Sequence, residues 1–213
     1  MENEIVKIQT AGTDARGIVR PVTVEVEITN GIGIHLVGMA DSCVGESLLR
    51  VVTALQVNGF HIPGKKVVVN IAPASMYKSS TNLDLPIAIG ILQASGQIKV
   101  DNELLKRCVF SGELGLDGTI RQGIAYQGYA IAMSTFSLVS VRRPYCLCTC
   151  KETALEASPI TNVLSYGFTK ISDLLGVLQG KTAGSMYLVW NSEVWGYVEE
   201  GVKIVKAQSE YPL

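Results

Sequence analysis

Asn70–Ile98, NIAPASMYKSSTNLDLPIAIGILQASGQI, decides how the rest of this chain is read. The apolar run Val67-Val68-Val69 leads into Asn70-Ile71-Ala72-Pro73, the end of a buried strand. Ser75 to Asn82 is a polar loop that carries Lys78 and three hydroxyl residues, Ser79, Ser80 and Thr81. A helix is predicted to open at Asp84 and close near Gly96. Asp84 suits the N-cap, because its carboxylate can accept from the orphan amides of the first turn. Pro86 falls inside that turn, where a missing N–H costs nothing. The body IAIGILQAS is apolar nearly all round, the mark of a helix buried in a core. A strand, a polar loop and a buried helix N-terminus form either an active site or a scaffold.

Upstream, Ile5, Val6 and Ile8 predict a short strand, and Thr10 to Arg20 reads as a polar loop. Val22, Val24, Val26 and Ile28 alternate with Thr23, Glu25, Glu27 and Thr29, a strand with one wet face. Asn30-Gly31 is a strong hairpin signal, with Ile32 to Val37 as the returning strand. Asp41 or Ser42 then caps a helix to about Asn58, with Val44, Leu48, Val51, Val52 and Leu55 along one face. Glu46 and Arg50 are spaced to pair at i, i+4, and Asn58-Gly59 ends the helix. Lys66 to Ile71 is the strand that enters the opening stretch.

Downstream, a short helix is predicted around Asn102 to Lys106, then a strand near Cys108 to Ser111. Asp117-Gly118 in ELGLDG is a second hairpin signal. Ala125 to Met133 reads as a helix, Leu138 to Cys148 as β-like, Lys151 to Ala157 as a short helix and Asn162 to Tyr166 as a strand. Ser172 or Asp173 caps a last helix ending at Gly180. This order makes one α+β, or mixed α/β, domain over residues 1–180. Lys181 to Leu213 differs in composition, with both tryptophans and the alternating Tyr187-Leu188-Val189-Trp190, and reads as a divergent C-terminal tail.

Composition narrows the function. Hydrophobic content of 47% over 213 residues supports a sizeable core, and a net charge of −1 argues against a strongly basic nucleic-acid binder. The acidic start MENEIVKIQT carries no secretory signal, and the longest apolar run is too short to span a bilayer. A cytoplasmic protein with no membrane partner is expected, its five cysteines reduced.

The chemical motifs are weak. Gly59 to Lys66 has GxxxxGK spacing but precedes a strand and lacks the Mg²⁺-binding hydroxyl. Gly176 to Thr182 ends in GKT but terminates a helix, where a phosphate loop must begin one. Cys146, Cys148 and Cys150 put three thiols on one strand face, and small apolar residues are a better reading than metal ligands. Cys43, Cys108, His35 and His61 stand alone, so no metal is expected. Lys65, Lys66, Lys78, Arg142 and Arg143 are candidate phosphate contacts. A serine-lysine dyad is the one catalytic pattern to weigh, needing an activated serine and a desolvated lysine.

NIAPA, DLPIAIGIL and Ser111-Gly-Glu-Leu-Gly-Leu-Asp-Gly-Thr-Ile-Arg121, with VEVEITNGIGIHLVGMAD and VGESLLRVVTALQVNGFHIPGKKVVV before them, resemble one family. They are similar to the N-terminal domain of the ComM/YifB proteins, also described as Mg-chelatase-like or competence-type AAA+ proteins. The resemblance covers about Ile5 to Gly180. It implies the ribosomal protein S5 domain 2-like fold of the Lon proteolytic domain. In Lon, the loop before the buried helix carries GPSAG with the nucleophilic serine. Aligning the helices puts Asp84-Leu85-Pro86 at Ser-Ala-Gly, so an aspartate holds the nucleophile position. Lon's lysine follows the GE-hairpin, yet no lysine lies between Lys106 and Lys151. The resemblance therefore implies no peptidase dyad here, and Asp84 as a helix cap agrees.

Relatives in that family are hexameric AAA+ ATPases that act in DNA branch migration. The implied role is a non-catalytic domain for homo-oligomerisation and DNA contact, with ATP and Mg²⁺ belonging to an ATPase module outside this sequence. After Arg121 the family continues with Pro-Val and a lysine, whereas Gln122-Gly123 follows here, and the tail is unlike the family's linker. A fragment, truncated paralogue or disrupted gene product is the corresponding expectation. Two rivals stand beside it. One is a degenerate peptidase using Ser79 or Ser80 with Lys78, and the other a regulatory subunit that binds a separate AAA+ ATPase.

Overall fold

The computed structural model describes residues 5–14, 16–37, 42–73, 81–123, 128, 130–132, 145–160 and 163–189. Its centre is a seven-stranded sheet of strand order β3-β4-β2-β1-β5-β8-β9. The strands are β1 (Val6–Thr13), β2 (Val19–Thr29), β3 (Gly33–Val37), β4 (Lys66–Ala72), β5 (Cys108–Phe110), β8 (Tyr145–Cys150) and β9 (Val163–Phe168). A separate small ribbon pairs β6 (Glu113–Leu114) with β7 (Ile120–Arg121). The helices are α1 (Ser42–Val57), α2 (Asp84–Ala94), α3 (Asn102–Arg107), α4 (Lys151–Ala157) and α5 (Ile171–Leu178). A mixed α/β architecture is thus present, with a mostly parallel sheet.

Two expectations about the N-terminal strands are corrected. The segment read as a loop, Thr10 to Arg20, is mostly strand: β1 and β2 form a long antiparallel hairpin from Val6↔Val26 to Thr13↔Val19. Its turn is built by Asp14, whose Oδ1 accepts from the backbone N–H groups of Arg16 and Ile18 at 2.9 and 3.0 Å. These amides hold the Asp14 carboxyl below its ordinary range, the Ile18 bond contributing most. Asn30-Gly31, in contrast, does not close a hairpin. β4 inserts between β2 and β3, antiparallel to one and parallel to the other, so Lys66 is opposite both Thr29 and Gly33. The turn spans the width of that strand, and a side chain at Gly31 (φ +127°) would come within 3.1 Å of Lys66 Cβ.

Alternation assigns the faces. Val22, Val24 and Val26 of β2 join Val67, Val69 and Ile71 of β4 and Ile8 of β1 in the main core. Val51, Ala54 and Leu55 of α1 and nearly the whole of α2 cover them. α2 lies so close to the sheet that a Cβ at Gly90 would meet Val26 Cγ2 at 2.6 Å. The opposite face of β1, β2 and β4 is polar. Asn70 Nδ2 donates to Glu25 Oε2 at 2.9 Å, and Lys7 lies 3.3 Å from the same carboxylate. Thr23 Oγ1 donates to Gln9 Oε1 at 3.2 Å.

The other end of the sheet is covered on both faces. Cys108, Phe110, Cys146, Cys148, Tyr166 and Phe168 point into the main core, packed with Ile171, Leu174 and Leu178 of α5. On the other face, Val109, Leu147 and Val163 form a second cluster with Ile131, Ala132 and Ala157. Parallel strands buried on two faces read as continuous apolar runs, as β8 does.

Helix starts show two further corrections. Leu83 occupies the N-cap of α2 and makes no side-chain capping bond, so Asp84 lies in the first turn and does not cap it. α5 begins at Ile171, with Lys170 at its N-cap, and Asp173 reaches back to the Lys170 amide at 3.3 Å. α1 ends as read: the Phe60 amide reaches Leu55 O at 2.9 Å, with Gly59 at φ +83°. The predicted hairpin at Asp117-Gly118 is β6-β7.

Candidate functional site

Asp84 is the most connected polar group in the described structure that the sequence singles out. It is fully buried. Arg50 donates to it from Nε at 2.7 Å and from Nη2 at 3.1 Å, a two-pronged guanidinium–carboxylate pair. Ser47 Oγ donates to Asp84 Oδ1, and the Leu114 backbone N–H donates to Oδ2 at 3.1 Å. One carboxylate therefore joins α1, α2 and β6. Arg50 is about a quarter exposed, at 24%. Its pKa is raised, chiefly by the bond to Asp84, against the effect of burial and with help from Glu113 and Glu46.

The expected Glu46–Arg50 helix pair is thus replaced. Arg50 spends its hydrogen bonds on Asp84, and Glu46 acts on it only through space. The partner sits 34 residues away in sequence, beyond any local spacing rule. Ser47 and Arg50 are the residues that reading the sequence missed. The signal was present: Ser47 is four residues before Val51 and Arg50 four before Ala54, so both extend the buried stripe of α1. A polar residue on such a stripe requires a partner.

An ionised carboxylate offers about four acceptor positions. Asp84 uses them on Ser47, on Arg50 twice and on Leu114. The four bonds tie α2 to α1 and to β6. Lys78, Ser79 and Ser80 lie outside the described residues, as do Arg142 and Arg143. Of the candidate phosphate contacts, only Lys65 and Lys66 are placed, adjacent at the entry to β4. Lys7, Arg20, Lys106 and Lys170 pair with Glu25, Asp14, Glu103 and Asp117.

Neither glycine-rich stretch stands in the strand-loop-helix order of a phosphate loop. Gly59–Lys66 runs from the C-terminus of α1 into β4, and Gly176–Thr182 closes α5, so neither places a helix N-terminus over a phosphate. Cys146, Cys148 and Cys150 do share one buried face, beside Cys108 on β5. The Cys146 thiol is pushed well up by its bond with Cys108 and by burial, and Cys150 mainly by burial. Thiols held protonated in an apolar core are inert. Among the described residues no His, Cys, Asp or Glu group is arranged to hold a metal ion. No helix there is long and apolar enough to cross a membrane.

The molecule so defined is a mixed α/β domain organised around a charge-paired structural aspartate. Residues 24–137 match the family described as subunit ChlI of Mg-chelatase. The chain is 36% identical over 161 residues to the competence protein ComM of Haemophilus influenzae, covering 75% of this chain and 30% of that protein. It is 40% identical over 102 residues to the YifB proteins of Salmonella typhimurium and Escherichia coli, covering 47% of this chain and 20% of each of them. The chain belongs to the Mg-chelatase ChlI-subunit family and, within it, to the ComM/YifB group. It spans under a third of the length of these relatives.

Proposed function

We propose that this chain is a non-catalytic, cytoplasmic assembly domain of a ComM/YifB-type AAA+ protein, which oligomerises and contacts DNA during its processing. The observation that carries the non-catalytic part is the state of Asp84. The implied Lon-like fold has its nucleophile at this position, and the residue found is a buried carboxylate with its acceptor positions taken by Ser47, Arg50 and Leu114. A nucleophile or general base must reach the reacting atom, and this one is turned into the scaffold. Lys65 and Lys66, side by side at the start of β4, are the placed residues that support a phosphate contact. The ATPase step is assigned to a separate module, since neither glycine-rich stretch has the strand-loop-helix order that nucleotide binding needs.

Light scattering combined with a mobility-shift assay on single-stranded and branched DNA tests this reading. Assemblies larger than a monomer, with a shift that weakens as salt rises, are expected. A strict monomer that ignores both DNA forms at low salt sinks it. Casein turnover abolished by Ser79→Ala or Ser80→Ala would replace it with the peptidase reading.

A further inference from the structure

The turn that joins β1 to β2 lies beyond the strands on either side of it. β4 pairs with β2 only from Thr23 to Thr29, and β5 meets β1 only at Gln9. From Thr10 and Val22 onward the two strands pair only with each other among the described residues. Asp14 closes the turn: its backbone N–H donates to Ile18 O and its carbonyl accepts from the Gly17 N–H, both at 2.9 Å. On this fixed tip Ile18 is 45% exposed, between the exposed Arg16 and Arg20. Asp14, 3.5 Å from Arg20, is the one carboxylate described there. A second surface has the opposite character. Glu46, Leu49, Thr53 and Val57 follow one another along α1 at helical spacing, and Leu49 and Val57 are 69% and 64% exposed. The β6–β7 ribbon runs along this flank. The Leu114 amide reaches Asp84 beside Arg50, and a Cβ at Gly118 would come within 2.3 Å of the Asn58 side-chain amide. Leu116, 54% exposed, falls between those two anchors. The cations of the flank are occupied: Arg50 bonds Asp84, Lys170 bonds Asp117, and Arg121 lies with Asp117 over Gly115. Glu46 and Glu113 act on Arg50 only through space.

We infer that the β1–β2 tip of one copy of this chain docks on the α1 and β6–β7 flank of the next, head to tail. This rests on the proposed assembly role and names the two surfaces that serve it. Ile18 supplies the apolar contact to Leu49, Val57 and Leu116, and Arg16 and Arg20 meet Glu46 and Glu113. Within one chain the two sets do not pair, since Arg20 is spent on Asp14. Charge identifies the occupant. Glu46 and Glu113 repel phosphates, so the flank does not take nucleic acid. An apolar surface with an acidic rim selects a basic apolar knob, and this chain carries one on a turn that its own hydrogen bonds hold in shape. Because the two surfaces differ, each copy offers one and receives on the other. Such a heterologous contact passes from copy to copy until a ring closes. Lys65 and Lys66 take no part in it and stay available to phosphates.

Charge reversal in the 213-residue chain tests the pairing. Arg16 and Glu46 are both exposed, so Arg16→Glu and Glu46→Arg are expected to keep the native circular dichroism. Each alone sets like charges across the contact and is expected to weaken self-association, read by sedimentation velocity, by about tenfold or more. Mixed in equal amounts, the two variants are expected to assemble again: the tip of the first meets the flank of the second with opposite charges, and the converse contact is native. Lys181→Glu, exposed beyond α5, is the control that should change nothing. If the native chain associates but neither single variant weakens it, or the mixture stays dissociated, the two surfaces are wrong and the assembly role stands. A native assembly that stops at a dimer has the same meaning, because a head-to-tail dimer still holds a free tip and a free flank. If the native chain stays a monomer up to about 1 mM, both fall. Restored assemblies that ignore DNA remove the DNA contact and leave the two surfaces intact.

Discussion

The two ends of this sheet solve the same burial problem in different ways. From β1 to β3, one face carries valines and isoleucines under α1 and α2, and the other carries Glu25, Asn70, Lys7, Thr23 and Gln9 bonded across strands. From β5 to β9, parallel strands are buried on both faces, between α5 on one side and Ile131, Ala132 and α4 on the other. The antiparallel pairing of β1, β2 and β4 permits a wet face, whereas parallel strands are nearly always covered twice, as β5, β8 and β9 are; β3, parallel to β4 at the sheet's edge and part-exposed, departs from that rule. The lesson is that one sheet has two tolerances: the same substitution should matter little at one end and greatly at the other. Asp84 is the seam, bonded to α1 of the first part and to β6 ahead of the second.

Breaking the seam should have the largest effect. Asp84→Ala leaves Arg50 and the Leu114 amide without their partner and is expected to cost about 3 kcal/mol, the low end for a broken buried pair because Arg50 is partly exposed. Urea denaturation reads it, and a loss under about 1 kcal/mol would remove Asp84 from its structural role. Next comes a matched pair. Val109→Ala, between the second cluster and its neighbours, is expected to cost about 2 kcal/mol. Val68→Ala, on the polar face, is expected to cost under about 1 kcal/mol. Equal losses would end the comparison between the two parts. Gly90→Ala forces α2 away from Val26 and is expected to cost about 1–3 kcal/mol despite its better helix propensity.

The smallest effect is acid sensitivity of the polar face. The Glu25 carboxyl lies below its usual 4.5, mainly through the Asn70 amide, opposed by burial and helped by Lys7. A depressed folded-state pKa gives stability that is fully present above the unfolded value and is lost as pH falls through the folded one. The urea midpoint should therefore drop as the pH falls below the usual glutamate value of 4.5, and Glu25→Gln should flatten part of that fall.

Elements defined by local pattern were legible in the chain. The alternation of β2, the buried helix α2, the stop at Asn58-Gly59 and the Asp117-Gly118 turn all stand where spacing and turn chemistry put them. The CxCxC strand also lies with its thiols on one buried face. What failed depended on distant partners. Asp84 looked like a cap because capping is a short-range rule, but Arg50 and Ser47 compete for the same oxygens from 34 and 37 residues away. Thr10-Ala11-Gly12-Thr13 looked like a loop because Gly and Thr signal turns, yet β2 supplies a pairing edge for all of it. Lys65 and Lys66 are adjacent in space because they are adjacent in sequence, so this part of the site was legible in the chain itself.

The insertion of β4 between β2 and β3 has a consequence for how this molecule acquires its shape. Asn30-Gly31 favours immediate pairing of the strands on either side of it, while the finished sheet keeps those strands apart by the width of Lys66–Ala72. Local preference and final topology conflict at this one point. Any early β2–β3 contact must reopen before the later strand can enter, and that strand arrives only after α1 has been traversed. Closing this end of the sheet therefore carries the entropy of a long loop, and its strand order departs from the order of the sequence.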